Sequence, residues 1–149
     1  WNNFEFGCED ELKFDNIIGG IKVIKTITDD NLCNRGIITQ EDGIVTNLIE
    51  MLNISKNKNP ELMQKLANVN FIGLSKSTLH YLSCNLFEFK LKHEDDPKIE
   101  CLLPNNLNEL ILKKLIIMNY FEIPKNIIGI TYPEDVEIIK SIFKNFHLN

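Results

Sequence analysis

Apolar and polar residues in the second half of the chain alternate in a way typical of short, half-buried strands. Three stretches, at 82–91, 103–112 and 123–132, each begin with an aliphatic residue, carry Asn three positions later and continue with apolar residues spaced h-x-x-h-x-h. A weaker copy lies at 68–74. Alternation with a period of two residues indicates a strand with one buried face. The pattern therefore predicts strands near 69–74, 86–91, 107–112 and 127–132.

The regular interval between these stretches predicts how the strands are arranged. The second stretch begins 21 residues after the first, and the third begins 20 residues after the second. The residues between two strands must return the chain to the same edge of the sheet, which makes neighbouring strands parallel. One such unit cannot bury its own apolar face, so consecutive units stack and share a core. We therefore expect an α/β solenoid.

The phrase Leu-Pro-x-x-Leu-x-x-Leu-x-Leu at 103–112, echoed at 123–132, resembles the leucine-rich repeat family. It is most similar to the FNIP-type and related variants, whose units begin with Leu-Pro and continue into an h-x-x-h-x-h strand. The resemblance covers about residues 66–149. It implies a solenoid with one parallel strand in each repeat.

Helices are predicted before the first repeat and after the last one. Thr39 followed by three acidic or amide residues is typical of a helix start, and Ile44, Leu48 and Leu52 then share one helical face. Pro60 and Glu61 open a second helix. The predicted helices span 40–52, 60–67 and 133–145. We expect a single domain over 1–149, with irregular strand and helix units over 1–67 and the solenoid over 68–149.

Composition and charge limit the classes of partner. Apolar residues make up 44 % of the 149 positions and charged residues 25 %, which is typical of a globular domain with its own core. A net charge of −5 argues against a broad cationic face for nucleic acid. No apolar run approaches the roughly 20 residues of a membrane span. The cysteines (Cys8, Cys33, Cys84 and Cys101) are widely scattered, which favours reduced thiols and a cytoplasmic location.

Residues able to bind a metal or to act as nucleophiles are few. His80, Cys84, His93 and Cys101 are the only concentrated ones, and they lack the closely spaced cysteine pair usual in zinc sites. No Gly-x-Ser-x-Gly, phosphate loop or His-Glu-x-x-His motif occurs. We therefore predict no catalytic residue, no metal and no cofactor. A cysteine-dependent enzyme, with Cys84 beside His80 or His93, is the least favoured alternative.

A protein–protein interaction module is the favoured function. In the predicted strands, the residues between the core positions point to the exposed face of the parallel sheet. We expect a protein partner there, and neither nucleic acid nor a membrane. The alternative is a structural or assembly subunit, viral or cytoskeletal, that self-associates. The predicted binding residues are Glu88, Lys90, Lys92, Glu109, Ile111, Lys113 and Thr131.

Overall fold

The computed structural model describes residues 16–27, 32–96 and 98–123, together with positions 136 and 140. The described strands are β1 (Ile17–Lys22), β2 (Cys33–Glu41), β3 (Ile44–Ile54), β4 (Leu66–Gly73) and β5 (Asn119–Glu122). Helices α1 (Lys76–Lys92) and α2 (Leu103–Leu112) lie between β4 and β5 in the chain. Short 3-10 turns at Val23–Lys25 and Pro60–Leu62 follow β1 and precede β4.

The strands close into a mixed barrel in the order β1-β4-β2-β3-β5. Neighbouring strands are antiparallel except for β1 and β5, which run parallel with Ile17 opposite Asn119. The strands are close together at Gly20, where a Cβ atom would lie 2.9 Å from both Ile38 Cδ1 and Tyr120 Cε2 and would force these side chains to shift. Glycine therefore lets β1 approach the side chains of two other strands.

β2 and β3 form a long hairpin around a two-residue turn. The turn residues Asp42 and Gly43 have positive φ angles of 49° and 81°, as a type I′ turn requires. The Gly43 N–H also donates a hydrogen bond to Gln40 Oε1 at 2.8 Å. The predicted helix over 40–52 is therefore wrong. Asp-Gly between two runs rich in β-branched residues favours a hairpin, and this preference outweighs the acidic residues that resemble a helix start.

The barrel interior is filled by an apolar cluster to which every strand of the barrel contributes. Leu66, Ile72 and Tyr120 bring β4 and β5 into this cluster. Helix α2 packs against β3, and Asn108 Oδ1 accepts a hydrogen bond from the Leu48 N–H at 2.7 Å. This contact covers β3 where it extends beyond its short pairing with β5. The buried members are Ile18, Ile38, Val45, Leu48, Leu107, Leu110, Ile116 and Met118.

A second apolar cluster lies on the other face of β2 and β4. Consecutive residues of a strand point to opposite faces, so Ile38 packs inside the barrel and Ile37 packs in the outer cluster. The two 3-10 turns lie beside this cluster and contribute to it. Its buried members are Val23, Ile27, Ile37, Ile54, Met63 and Ala67.

The predicted leucine-rich-repeat-like solenoid is wrong. Residues 86–91 lie within α1, and residues 107–112 lie within α2. Leu103, Leu107 and Leu110 are spaced i, i+4, i+7, which places them along one side of a helix. Pro104 lies in the first turn of α2. Backbone N–H groups there have no acceptor within the helix, so a proline, which lacks the N–H, is tolerated. What resembles a repeat strand is thus an amphipathic helix.

The remaining predicted elements have mixed outcomes. Residues 69–73 of the predicted strand at 69–74 belong to β4, but β4 is antiparallel to both of its neighbours. The predicted helix over 60–67 is reduced to the 3-10 turn, and β4 already begins at Leu66. The predicted strand at 127–132 lies outside the described residues. Of the predicted helix at 133–145 only Val136 and Lys140 are described, and both are helical.

Candidate functional site on helix α1

Helix α1 is joined to the barrel at its N-terminus. The Ser75 hydroxyl accepts a hydrogen bond from the Thr78 N–H at 3.1 Å, which is a standard N-cap contact. The Ser75 N–H donates in turn to Oδ1 of the buried Asn16 at 3.0 Å. The residue before α1 is therefore fixed to the segment that enters β1.

The side of α1 that faces the rest of the chain is narrow. It carries Thr78, Leu82, Asn85 and Phe89, and only Thr78 is fully buried. Leu82 packs against the barrel cluster. The Asn85 Nδ2 atom is buried and has no hydrogen-bond partner within the described part of the chain. A helix of 17 residues thus buries little of its apolar surface.

The opposite side of α1 carries a second row of residues at helical spacing. We call His80, Cys84, Phe87 and Leu91 the outer stripe; their spacing of four, three and four residues aligns them along the helix. Phe87 is 63 % exposed and Leu91 is 62 % exposed. A helix with apolar residues on every side is normally buried on every side. The outer stripe is therefore an apolar surface that the described residues leave uncovered.

Charged residues border the outer stripe. At 100° per residue, Glu88 lies on one flank of the stripe and Lys90 lies on the other. Lys92 lies nearer the packing side, and all three side chains are exposed. An apolar centre with a charged rim is the usual composition of a transient protein interface.

The other predicted binding residues do not join this surface. Glu109 and Lys113 form an exposed i, i+4 ion pair on α2. Ile111, between them, is half-buried and packs against the barrel cluster. Thr131 lies outside the described residues. The parallel sheet that was expected to align all seven residues is absent from the described chain. Of the seven, only Glu88, Lys90 and Lys92 lie on the same helix as the outer stripe.

Within the outer stripe, His80 and Cys84 are neighbours. The distance from His80 Nε2 to Cys84 Sγ is 4.0 Å, and both side chains are exposed. Residues spaced i, i+4 on a helix are adjacent on its surface, which accounts for this contact. The described residues contain no group of three or more His, Cys, Asp or Glu side chains arranged to hold a metal ion.

A second group of polar side chains lies on the barrel around Arg35. Its guanidinium donates to Thr26 Oγ1 at 2.9 Å and to the Thr26 carbonyl at 2.6 Å. Burial raises the pKa of the Cys33 thiol and of the Glu50 carboxyl, and the positive charge of Arg35 partly offsets both shifts. The guanidinium contacts hold the end of the first 3-10 turn against β2. We therefore assign this group a structural role.

The outer stripe is not among the residues that the sequence predicted as a binding surface. The interpretation of 82–91 as a strand placed Glu88 and Lys90 on its exposed face and gave Phe87 no role. The spacing of 80, 84, 87 and 91 is visible in the sequence and is the signal that would have revealed the stripe.

Comparisons with known proteins add no assignment. A scan against protein-family models and a search of curated proteins found no match to this chain. Within the described residues, no helix combines the length and the hydropathy needed to cross a membrane.

Proposed function

We propose that this chain is a protein–protein interaction module that binds a helix of a partner protein on the outer stripe of α1. The observation that supports this most directly is the exposure of Phe87 and Leu91, at 63 % and 62 %, on the side of α1 opposite the one that packs against the barrel. Exposed apolar patches bordered by polar residues are typical of interaction sites.

The spacing of the stripe favours a helical partner. Residues that alternate by four and three positions form the seam of helix pairs that pack side chains into the gaps of the facing helix. Glu88 and Lys90 at the rim would orient the partner through complementary charges. These two residues keep the binding role that the sequence predicted for them, whereas the parallel-sheet surface is no longer part of the proposal.

The stripe is small, and this limits the strength of binding. Full burial of Phe87 and Leu91 would contribute roughly 1.5–3 kcal/mol each. Association itself costs at least about 4 kcal/mol in lost translational and rotational freedom. Further contacts beside the stripe, from the exposed Leu79 and Tyr81, are therefore needed even for a transient complex.

The proposal predicts that polar replacements on the stripe remove binding and leave the fold intact. The double variant Phe87→Lys/Leu91→Glu, immobilised beside the parent chain, should retain at least about tenfold less of the proteins that the parent enriches from a cell lysate, as measured by quantitative mass spectrometry. Its melting temperature should stay within about 2 °C of the parent, because exposed positions affect stability little.

A matched control separates the stripe from general surface hydrophobicity. Leu52 on β3 is 57 % exposed, so Leu52→Lys removes a comparable apolar surface from a different element and should leave capture unchanged. Unchanged capture by the stripe variant would contradict the proposal. A fall of several degrees in its melting temperature would also contradict it, since the stripe would then be packed within the chain.

A cytoplasmic location is part of this proposal. Cys33, Cys84 and Cys101 are free thiols, and none of them forms a disulfide with another described residue. Free thiols persist in reducing compartments, whereas secreted domains tend to pair their cysteines.

A further inference from the structure

We propose that His80 and Cys84 form one half of a zinc site, which the same two residues of a second copy of this chain complete. The inference rests on the proposed function, because it identifies an occupant of the outer stripe. The chemical class of the ligand is a borderline-soft divalent cation, with Zn²⁺ as the physiological choice for a set of sulfur and nitrogen donors.

The two side chains are close to the geometry that one zinc ion requires. Zinc bonds of about 2.3 Å to sulfur and about 2.0–2.1 Å to nitrogen, at a tetrahedral angle, place the two atoms roughly 3.6 Å apart. His80 Nε2 and Cys84 Sγ are 4.0 Å apart, so a small rotation of either side chain is sufficient. The two residues lie on adjacent turns of α1 (Lys76–Lys92), which fixes the spacing of their Cβ atoms before metal binds.

Two ligands are half of a closed site, and the described chain does not supply the other half. A structural zinc site takes four protein ligands, and no described group has three. A two-fold axis between two copies of α1 would place His80 and Cys84 of one copy opposite the same two residues of the other. The resulting set of two His and two Cys is a usual structural zinc site.

Phe87 of the outer stripe also fits an antiparallel pair of α1 helices about such an axis, whereas Leu91 would lie beyond the facing helix, opposite position 73. With the axis beside residue 82, midway between His80 and Cys84, Phe87 of one copy lies opposite Ser77 of the other. Ser77 is an exposed, small residue seven positions before Cys84, so it lies in line with the outer stripe two turns nearer the start of α1. A large side chain against a small one allows the two helices to approach at the metal. The pairing also covers Phe87, which is 63 % exposed in the single chain.

Metal binding in this site involves no change of oxidation state. The Cys84 thiol binds as the thiolate and releases its proton to solvent, and His80 binds through Nε2 as a neutral imidazole.

The test uses the intact chain with Zn²⁺ or Co²⁺ as the only added ligand, under a reducing agent that does not chelate metal. Light scattering after size exclusion should show a monomer with a chelator and a twofold larger mass with half an equivalent of Zn²⁺. Co²⁺ should give the intense visible bands of a tetrahedral site together with thiolate-to-metal charge transfer. His80→Ala and Cys84→Ser should each abolish the change in mass and the charge-transfer band.

The double variant His93→Asn/Cys101→Ser is the matched control, because it removes the same two residue types away from the outer stripe. It should dimerise with zinc as the parent does. A parent chain that stays monomeric with Zn²⁺ would overturn the inference, as would metal binding that His80→Ala and Cys84→Ser leave unchanged. If the parent stays monomeric with Zn²⁺ but still captures a lysate partner through Phe87 and Leu91, the proposed function stands while the zinc site fails.

Discussion

At the scale of single residues, the ionisation of Glu50 makes the stability of the barrel depend on pH. It lies opposite Gly36 in the β2–β3 pair, and its Oε2 would be 3.3 Å from a Cβ atom at that glycine. Burial raises the pKa of Glu50 above its ordinary value of 4.5, and Arg35 offsets part of the shift. Because the folded chain binds this proton more tightly than the unfolded chain does, the ionised carboxylate lowers the free energy of unfolding.

The sign of this effect predicts a pH dependence. The destabilisation by Glu50 is absent well below its ordinary pKa, grows as the pH rises through that value to the raised one, and remains complete at neutral pH. Glu50→Gln should therefore melt at a higher temperature than the parent at about pH 7, and the difference should disappear towards about pH 3.5.

Scanning calorimetry at several pH values checks this prediction. Glu41→Gln, at an exposed position of β2, controls for the loss of one negative charge. A Glu50→Gln variant that is less stable than the parent at neutral pH would show that the carboxylate makes a favourable contact, contrary to our interpretation.

At the scale of elements, the hairpin of β2 and β3 depends on its turn. Gly43 has a φ of 81°, which residues with a Cβ rarely adopt. Gly43→Ala should therefore lower the free energy of unfolding by about 1 kcal/mol or more, because the space around the residue is open and only backbone strain opposes the substitution.

A second substitution at Gly43 separates strain from bulk. Gly43→Asn adds a larger side chain but tolerates a positive φ, so it should cost less than Gly43→Ala in urea unfolding. If alanine were tolerated better than asparagine, the type I′ turn would not be the source of the effect.

The same elements show how far the sequence could predict the fold. Asp42-Gly43 between Ile-rich runs is a strong hairpin signal, and the helical spacing of Leu103, Leu107 and Leu110 after Pro104 is equally visible. Both signals are present in the sequence. Residues 103–112 also fit the repeat pattern, however, and that pattern predicts a strand in place of the helix. Short apolar runs fit a strand period and a helix period equally well, so the choice depends on length and caps.

Other features were not accessible from the sequence. The pairing of β5 with β1 joins residues about 100 positions apart, and no local pattern specifies it. The spacing of the outer stripe is visible in the sequence, but that the stripe is left uncovered follows only from the packing of α1 (Lys76–Lys92) against the barrel. Glu88 and Lys90 were selected for a sheet face, and they border the candidate site only because they lie on α1.

At the scale of the whole molecule, Asn16 joins three distant segments. Its Nδ2 donates to the Ile117 carbonyl at 3.0 Å, and its Oδ1 accepts from the Ser75 N–H at 3.0 Å. Its own carbonyl accepts from the Asn119 N–H at 2.9 Å. Asn16 is only 3 % exposed and Ser75 is half-buried, so their contact is largely shielded from water.

Removal of this amide should therefore loosen the entry to the barrel and the start of α1 together. Asn16→Ala leaves the Ser75 N–H and the Ile117 carbonyl without their partner. The cost should be about 1–3 kcal/mol in total, chiefly from the half-buried Ser75, because Ile117 is 66 % exposed and water can replace the amide there. Hydrogen exchange should show faster opening at both Ser75 and Asn119. Asn105→Ala, at an exposed position of α2, is the control, and protection lost at only one of the two sites would contradict the joint role.

The parallel contact between β1 and β5 also determines when folding can finish. The strand at Ile17–Lys22 is made about 100 residues before its partner at Asn119–Glu122. During synthesis, β1 to β4 can therefore form only an open sheet, with unpaired edges on β1 and β3, until Glu122 has left the ribosome. Such edges pair readily with those of other chains. This interval of synthesis is when the protein is most exposed to misassembly, and a nascent chain that stalls before β5 would need a chaperone on those two edges.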